Sequence, residues 1–148
     1  MKIGFYILFI AFSFINILSA NENSYYLILK NNEVNVRYGP GFDYPIKYVY
    51  KKKNLPVKII DKKENFKKII DFKKNSGWIH SSQLKKGKSF ILLKDQILFT
   101  KPTKYSKPLF KVAKGRLLLV KKCKKNWRRV KTENFLGWIK TNEIWGLY

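Results

Sequence analysis

From residue 24 onward the chain is a succession of short runs rich in Val, Ile, Leu and aromatic residues. Some alternate apolar with polar positions, as in Val34-Asn35-Val36-Arg37. Alternation with a period of two predicts half-buried strands, and Gly, Pro, Asn and Lys clusters between the runs predict turns. No stretch sustains apolar residues at i, i+3, i+4 and i+7, so no helix is expected. The runs also come round twice. Val34 to Pro40, Ile46 to Tyr50, Leu55 to Ile60, Phe66 to Ile69 and Gly77 to Leu84 find counterparts in Ile97 to Pro102, Leu109 to Val112, Leu117 to Val120, Trp127 to Val130 and Gly137 to Ile144. Phe66 to Trp127 is 61 positions and Gly77 to Gly137 is 60, the signature of an internal duplication. Four or five short strands in each unit of about 60 residues can bury enough apolar surface only by curling up, because a flat sheet that small leaves open edges. The fold class expected is all-β, two tandem small barrels over 25–86 and 89–148, joined near Lys85-Lys86-Gly87-Lys88-Ser89.

Residues 1–20 have a different pattern. Lys2 precedes a nearly unbroken apolar run from Ile3 to Leu18, and Leu18-Ser19-Ala20 precedes the polar stretch Asn21-Glu22-Asn23-Ser24. This is the layout of a secretory signal peptide, with cleavage expected after Ala20. The large Leu18 leaves an uncleaved N-terminal anchor as the alternative. The run is shorter than the roughly 20 apolar residues a span needs, and no later stretch could span. An exported protein of the periplasm or cell envelope, without a transmembrane segment after cleavage, is the expectation.

Val34-Asn35-Val36-Arg37-Tyr38-Gly39-Pro40-Gly41 resembles the opening motif of bacterial SH3-like domains. Leu55-Pro56-Val57 resembles their Gly-x-Pro-Val strand, with Asn54 in the glycine's place, and Gly77-Trp78-Ile79-His80-Ser81-Ser82-Gln83-Leu84 their closing segment. The likeness runs closely over 27–84 and more loosely over 90–146, where the second unit keeps only Lys101-Pro102 of the opening signature. What the resemblance implies is two SH3-like barrels forming an extracytoplasmic binding module. Such modules are often directed at cell-wall peptide or glycan in proteins that also carry a hydrolase, which these 148 residues do not show.

Strand parity sorts the side chains. With Ile79 and Ile139 inward, Trp78, His80, Trp138 and Lys140 face outward. With Ile69 and Val130 in the core, Phe66 and Trp127 come out exposed or half-exposed. Peptide ligands of SH3 domains lie on aromatics in these segments, so the resemblance implies one groove outlined by Tyr38, Phe66, Trp78 and His80 and another by Trp127, Trp138 and Lys140. Rings suit such a site because they bury much area at little entropic cost. With 24 aromatics (4 Trp, 9 Tyr, 11 Phe) in the chain, packing competes for each of them, and Trp145 suits an interface between the barrels.

Composition narrows the chemistry. The net charge is +23, from 32 basic and 9 acidic residues, and removing Lys2 leaves +22 on the exported part. Such a field attracts polyanions and anionic surfaces. Yet only Arg37, Arg116, Arg128 and Arg129 are Arg, and abundant Lys, Asn, Ile and Phe with little Ala is what AT-rich codons produce. Bidentate phosphate recognition favours Arg. His80 is the one histidine and Cys123 the one cysteine, so no Ser/His/Asp or Cys/His machinery is expected. Cys123 is expected to be a small buried hydrophobe. The nine acids form no spaced cluster for a metal or a glycosidase pair, so neither metal nor cofactor is expected, and no enzyme. The function expected is a non-catalytic module recognising a cell-wall component or an envelope protein. The alternative is electrostatic adhesion to an anionic polymer or a scaffold role for a partner protein. Export argues against nucleic acid.

Overall fold

The computed structural model describes residues 24–132 and 134–147, so the expected signal peptide lies outside the described residues. The first unit comprises β1 (Tyr25–Leu29), β2 (Val34–Arg37), β3 (Ile46–Tyr50), β4 (Pro56–Lys63), β5 (Phe66–Ile70), β6 (Ser76–His80) and β7 (Leu84–Lys85), with a single 3-10 turn, Ser81–Gln83, before β7. The second comprises β8 (Ser89–Leu92), β9 (Gln96–Phe99), β10 (Pro108–Val112), β11 (Leu117–Lys124), β12 (Trp127–Lys131), β13 (Leu136–Lys140) and β14 (Ile144–Trp145). The chain is all-β, as the period-two pattern predicts. The two sheets run β3-β2-β6-β5-β4-β1-β7 and β10-β9-β13-β12-β11-β8-β14, the same order written twice, each curled into a small barrel. Seven strands per unit exceed the four or five predicted: β7 and β14 are two residues each and too short to carry a periodic signal, and β1 and β8 precede the repeated segments from which the strands are read.

The duplication extends to backbone detail. Asn54 takes φ 63° and its counterpart Gly115 φ 83°, which explains why asparagine can stand where the motif has glycine: it tolerates the left-handed region better than most residues. The hairpin positions Glu64 and Lys125 both have φ 50°. The register slips once in each long strand, between Ile59 and Asp61 in β4 and between Val120 and Lys122 in β11. Such a bulge bends an eight-residue strand so that it can serve two sides of a barrel. Gly77 and Gly137 are fixed by close approach: a Cβ at Gly77 would strike Val36, and one at Gly137 would lie 2.6 Å from Leu98.

Leu29, Val34, Val36, Val57, Ile69 and Ile79 fill the first core, and Phe90, Leu92, Leu98, Leu118, Val130 and Ile139 the second. The strand β8 belongs to both. All four of its residues are buried; Phe90 and Leu92 enter the second core while Ile91, between them, enters the first. In the sheet Ile91 lies opposite Leu117 and Trp145, and both pack against the first core. The Trp145 ring meets Tyr26 edge-on at 5.4 Å, which places it between the barrels as its sequence position suggests. Ser89, expected in a polar join, is instead fully buried and donates its hydroxyl to the Asn54 carbonyl at 2.7 Å.

Candidate functional site

In antiparallel pairing, residues directly opposite each other share a face. On the outer face of the first barrel this gives the row Asp61–Lys68–Trp78–Arg37 across β4, β5, β6 and β2, and beside it Lys63–Phe66–His80. On the second barrel the corresponding rows are Lys122–Arg129–Trp138–Phe99 and Lys124–Trp127–Lys140. Ile79 and Ile139 point the other way and are fully buried. Trp78, His80, Trp127 and Trp138 are half-buried and Lys140 is exposed on these outer faces.

Phe66 departs from expectation. It lies on the outer face, opposite His80, but is only 5% exposed. The cover is Phe42, from the loop 38–45, whose ring sits 5.2 Å from Phe66 and 5.1 Å from His80. Arg37 holds that loop down: its Nη1 donates to the carbonyls of Phe42 (3.2 Å) and Tyr44 (2.7 Å), and its guanidinium lies 5.4 Å from the Phe42 ring centre. His80 is further tied to the backbone, since its Nδ1 accepts from the Ser82 N–H at 3.3 Å and lies 2.7 Å from the Ser82 hydroxyl. Tyr38 is 63% exposed, with the Lys47 ammonium over its ring at 5.6 Å, outside the Phe42–Phe66–His80 cluster. Tyr38, Phe66, Trp78 and His80 therefore do not line one open groove.

The second barrel differs at two equivalent positions. Its loop, 100–107, has the same eight-residue length as 38–45, but Phe99 stands where Arg37 does and Lys104 where Phe42 does. Phe99 has no donors to pin the loop, and Lys104 is exposed with its ammonium over the neighbouring Tyr105 ring at 5.2 Å. Thr100 and Ser106 hold the loop from within, through Thr100 Oγ1 to the Lys107 carbonyl and Ser106 Oγ to the carbonyls of Lys101 and Thr103. The space that Phe42 fills on the first barrel is here an open cleft of about 520 Å3, lined by Gln96, Ile97, Phe99, Pro102, Thr103, Lys104, Asn126, Trp127 and Lys140. Phe99 meets Trp127 edge-on at 5.7 Å and forms its floor. Of the groove residues expected here, Trp127 and Lys140 line the cleft and Trp138 stands beside Phe99 in the same sheet face. Phe99, Pro102 and Lys104 were not singled out by parity; the signal for them is the loop's alignment with 38–45.

No acid lines the cleft. Asp95 accepts the Lys114 N–H and pairs with Lys111 at 2.9 Å, contacts that in that order hold its carboxyl below the usual range, and Glu143 pairs with Lys94 at 2.7 Å. Among the described residues no three His, Cys, Asp or Glu side chains gather as a metal site, and no helix is long and apolar enough to cross a membrane. Cys123, expected to be buried, is exposed: the hairpin between β11 and β12 carries it clear of the core, opposite Arg128.

A family model of the bacterial SH3 domain matches the chain twice, over residues 30–86 and 94–146. No curated protein matches it. Among solved structures it is similar to NlpC2 and NlpC1 from Trichomonas vaginalis, at 12% and 13% identity and TM-scores of 0.37 and 0.39, covering 82% and 86% of this chain and 47% of each of theirs. A NlpC/P60 family protein from Bacillus cereus shares 14% identity with a TM-score of 0.38, covering 80% of this chain and 55% of that one. The chain thus spans about half the length of these proteins.

Proposed function

The chain belongs to the bacterial SH3 domain family, whose domains are non-catalytic binding modules, and on that premise we propose that it works in the cell envelope by holding a wall component in the cleft of its second barrel. One observation carries this reading. Two copies of the same eight-residue loop stand over the same sheet face; in one copy Phe42 occupies the space, and in the other the space is open and floored by Phe99 and Trp127. A half-buried ring beside an open cleft supplies binding area without first having to be freed from packing. Tyr38, Trp78 and His80 on the first barrel are secondary contacts at most in this reading, and Trp127, Trp138 and Lys140 are the principal ones.

The test is retention of the purified protein by isolated sacculi. Trp127→Ala should weaken retention by about thirtyfold, the equivalent of the roughly 2 kcal/mol a central aromatic contributes, while the melting temperature stays within a few degrees. Trp78→Ala should change retention little. A folded Trp127→Ala protein retained as well as the parent would remove the cleft from consideration.

A further inference from the structure

The cleft does not end at Lys140. The row Lys124–Trp127–Lys140 and the row Lys122–Arg129–Trp138–Phe99 continue from it across the whole sheet face onto the β11–β12 hairpin. Lys122, Lys124, Arg129 and Lys140 are all exposed, and neither row contains an acid. Comparison with the first barrel sets this face apart. There the equivalent positions hold one acid, Asp61, with Arg37, Lys63 and Lys68; here Lys104, Lys122, Lys124, Arg129 and Lys140 stand together. Where the first barrel has the Asp61–Lys68 pair, opposite charges facing across two strands, the second has Lys122–Arg129, two like charges facing each other. Directly opposed like charges destabilise a sheet. Codon bias would load both halves alike, so it does not account for a charge that rises from +2 to +5 on one face of one copy.

From this we infer that the wall ligand is acidic: a carboxylate-bearing glycan chain, seated with a sugar ring in the cleft and its charges running over the Lys122, Lys124 and Arg129 face. The inference rests on the cleft reading above and adds the ligand's charge and direction. Neighbouring strands are about 4.8 Å apart and alternate residues about 6.6 Å along a strand, so the cations recur at roughly the length of one hexose. Four of the five are Lys, point charges without a guanidinium fork, which suits charge spread along a polymer rather than one geometrically fixed anion. Phe99 and Trp127 touch edge to face, which leaves no slot between them for a nucleobase, whereas the ring surfaces bordering the cleft accept the flat side of a sugar.

The experiment measures binding of the full chain to polygalacturonate, to neutral dextran of similar length and to a thymidine oligonucleotide, each from about 50 to about 200 mM salt. Polygalacturonate should bind with an affinity that falls steeply with salt, more tightly than the oligonucleotide, and dextran should not compete. Lys122→Glu/Lys124→Glu should lose at least tenfold for polygalacturonate and for sacculi, and Lys63→Glu/Lys68→Glu, a reversal of the two lysines on the corresponding face of the first barrel, less than threefold. Equal losses from the two reversals, equal binding of dextran, or tighter binding of the oligonucleotide would each overturn the inference. If Trp127→Ala abolishes sacculus retention and Lys122→Glu/Lys124→Glu does not, the cleft stands and the acidic ligand falls. If neither has an effect, the cleft falls with it.

Discussion

Asp71, just after β5, gathers four hydrogen bonds. It is 2% exposed, accepts the N–H groups of Lys73 and Asn75 and the Asn75 side-chain amide, and receives the Tyr50 hydroxyl at 2.9 Å. Burial, followed by the bonds to Tyr48 and Asp71, pushes the Tyr50 phenol well above its ordinary range; burial likewise raises Tyr48. The fold therefore holds both phenols neutral. Their contribution is complete below about pH 10, where unfolded tyrosine begins to ionise, and is lost above it as the unfolded chain releases protons that the native chain keeps. Tyr50→Phe should melt lower than the parent at pH 7, by the order of 1 kcal/mol for the lost hydrogen bond, and its melting temperature should fall less steeply between pH 9.5 and 11.5. Parallel curves would contradict the assignment. None of this was legible beforehand, because Asp71 stands among lysines and nothing in Asp71-Phe72-Lys73-Lys74 shows that its carboxylate turns onto backbone N–H groups rather than onto a side chain. Asn54, by contrast, was legible: a family motif with glycine at that place implies the left-handed backbone that Asn54 adopts.

At the scale of elements, the loops 38–45 and 100–107 decide which sheet face is open. Phe42 is itself 66% exposed, yet it covers Phe66 and His80. Phe42→Ala should cost about 1 kcal/mol, the scale of an aromatic pair, and should raise the rate at which diethylpyrocarbonate modifies His80 at least threefold. His80 is the one histidine in the chain, so the readout is unambiguous. An unchanged rate would mean that Phe42 does not shield the ring. Parity assigned Ile79, Ile139, Trp78 and His80 to the correct sides because alternation is a property of one strand alone. It failed for Phe66 because the cover comes from a loop more than twenty residues away, set by the Arg37 hydrogen bonds to that loop's carbonyls. Facing outward and being open to ligand are separate properties, and local sequence encodes only the first.

At the scale of the molecule, β8 makes two barrels into one cooperative body. Ile91 is fully buried in the first core while its neighbours Phe90 and Leu92 fill the second. Calorimetry of the parent should show a single transition, and Ile91→Ala, a truncation worth about 2–5 kcal/mol, should split it into two. Two transitions in the parent would refute the coupling. The duplication itself was plain in the sequence, since matching segments 60 and 61 residues apart need no tertiary information. The sharing of β8 was not, because Ser89-Phe90-Ile91-Leu92 is a continuous buried run with no alternation to show that it has two interiors to serve.

That shared strand limits how the two repeats can be separated. A fragment beginning at Ser89 would carry Ile91, Leu117 and Trp145 as a bare greasy stripe, and one ending at Gly87 would leave Tyr26 and the surrounding hydrophobic surface without its cap. Either piece would seek company and clump.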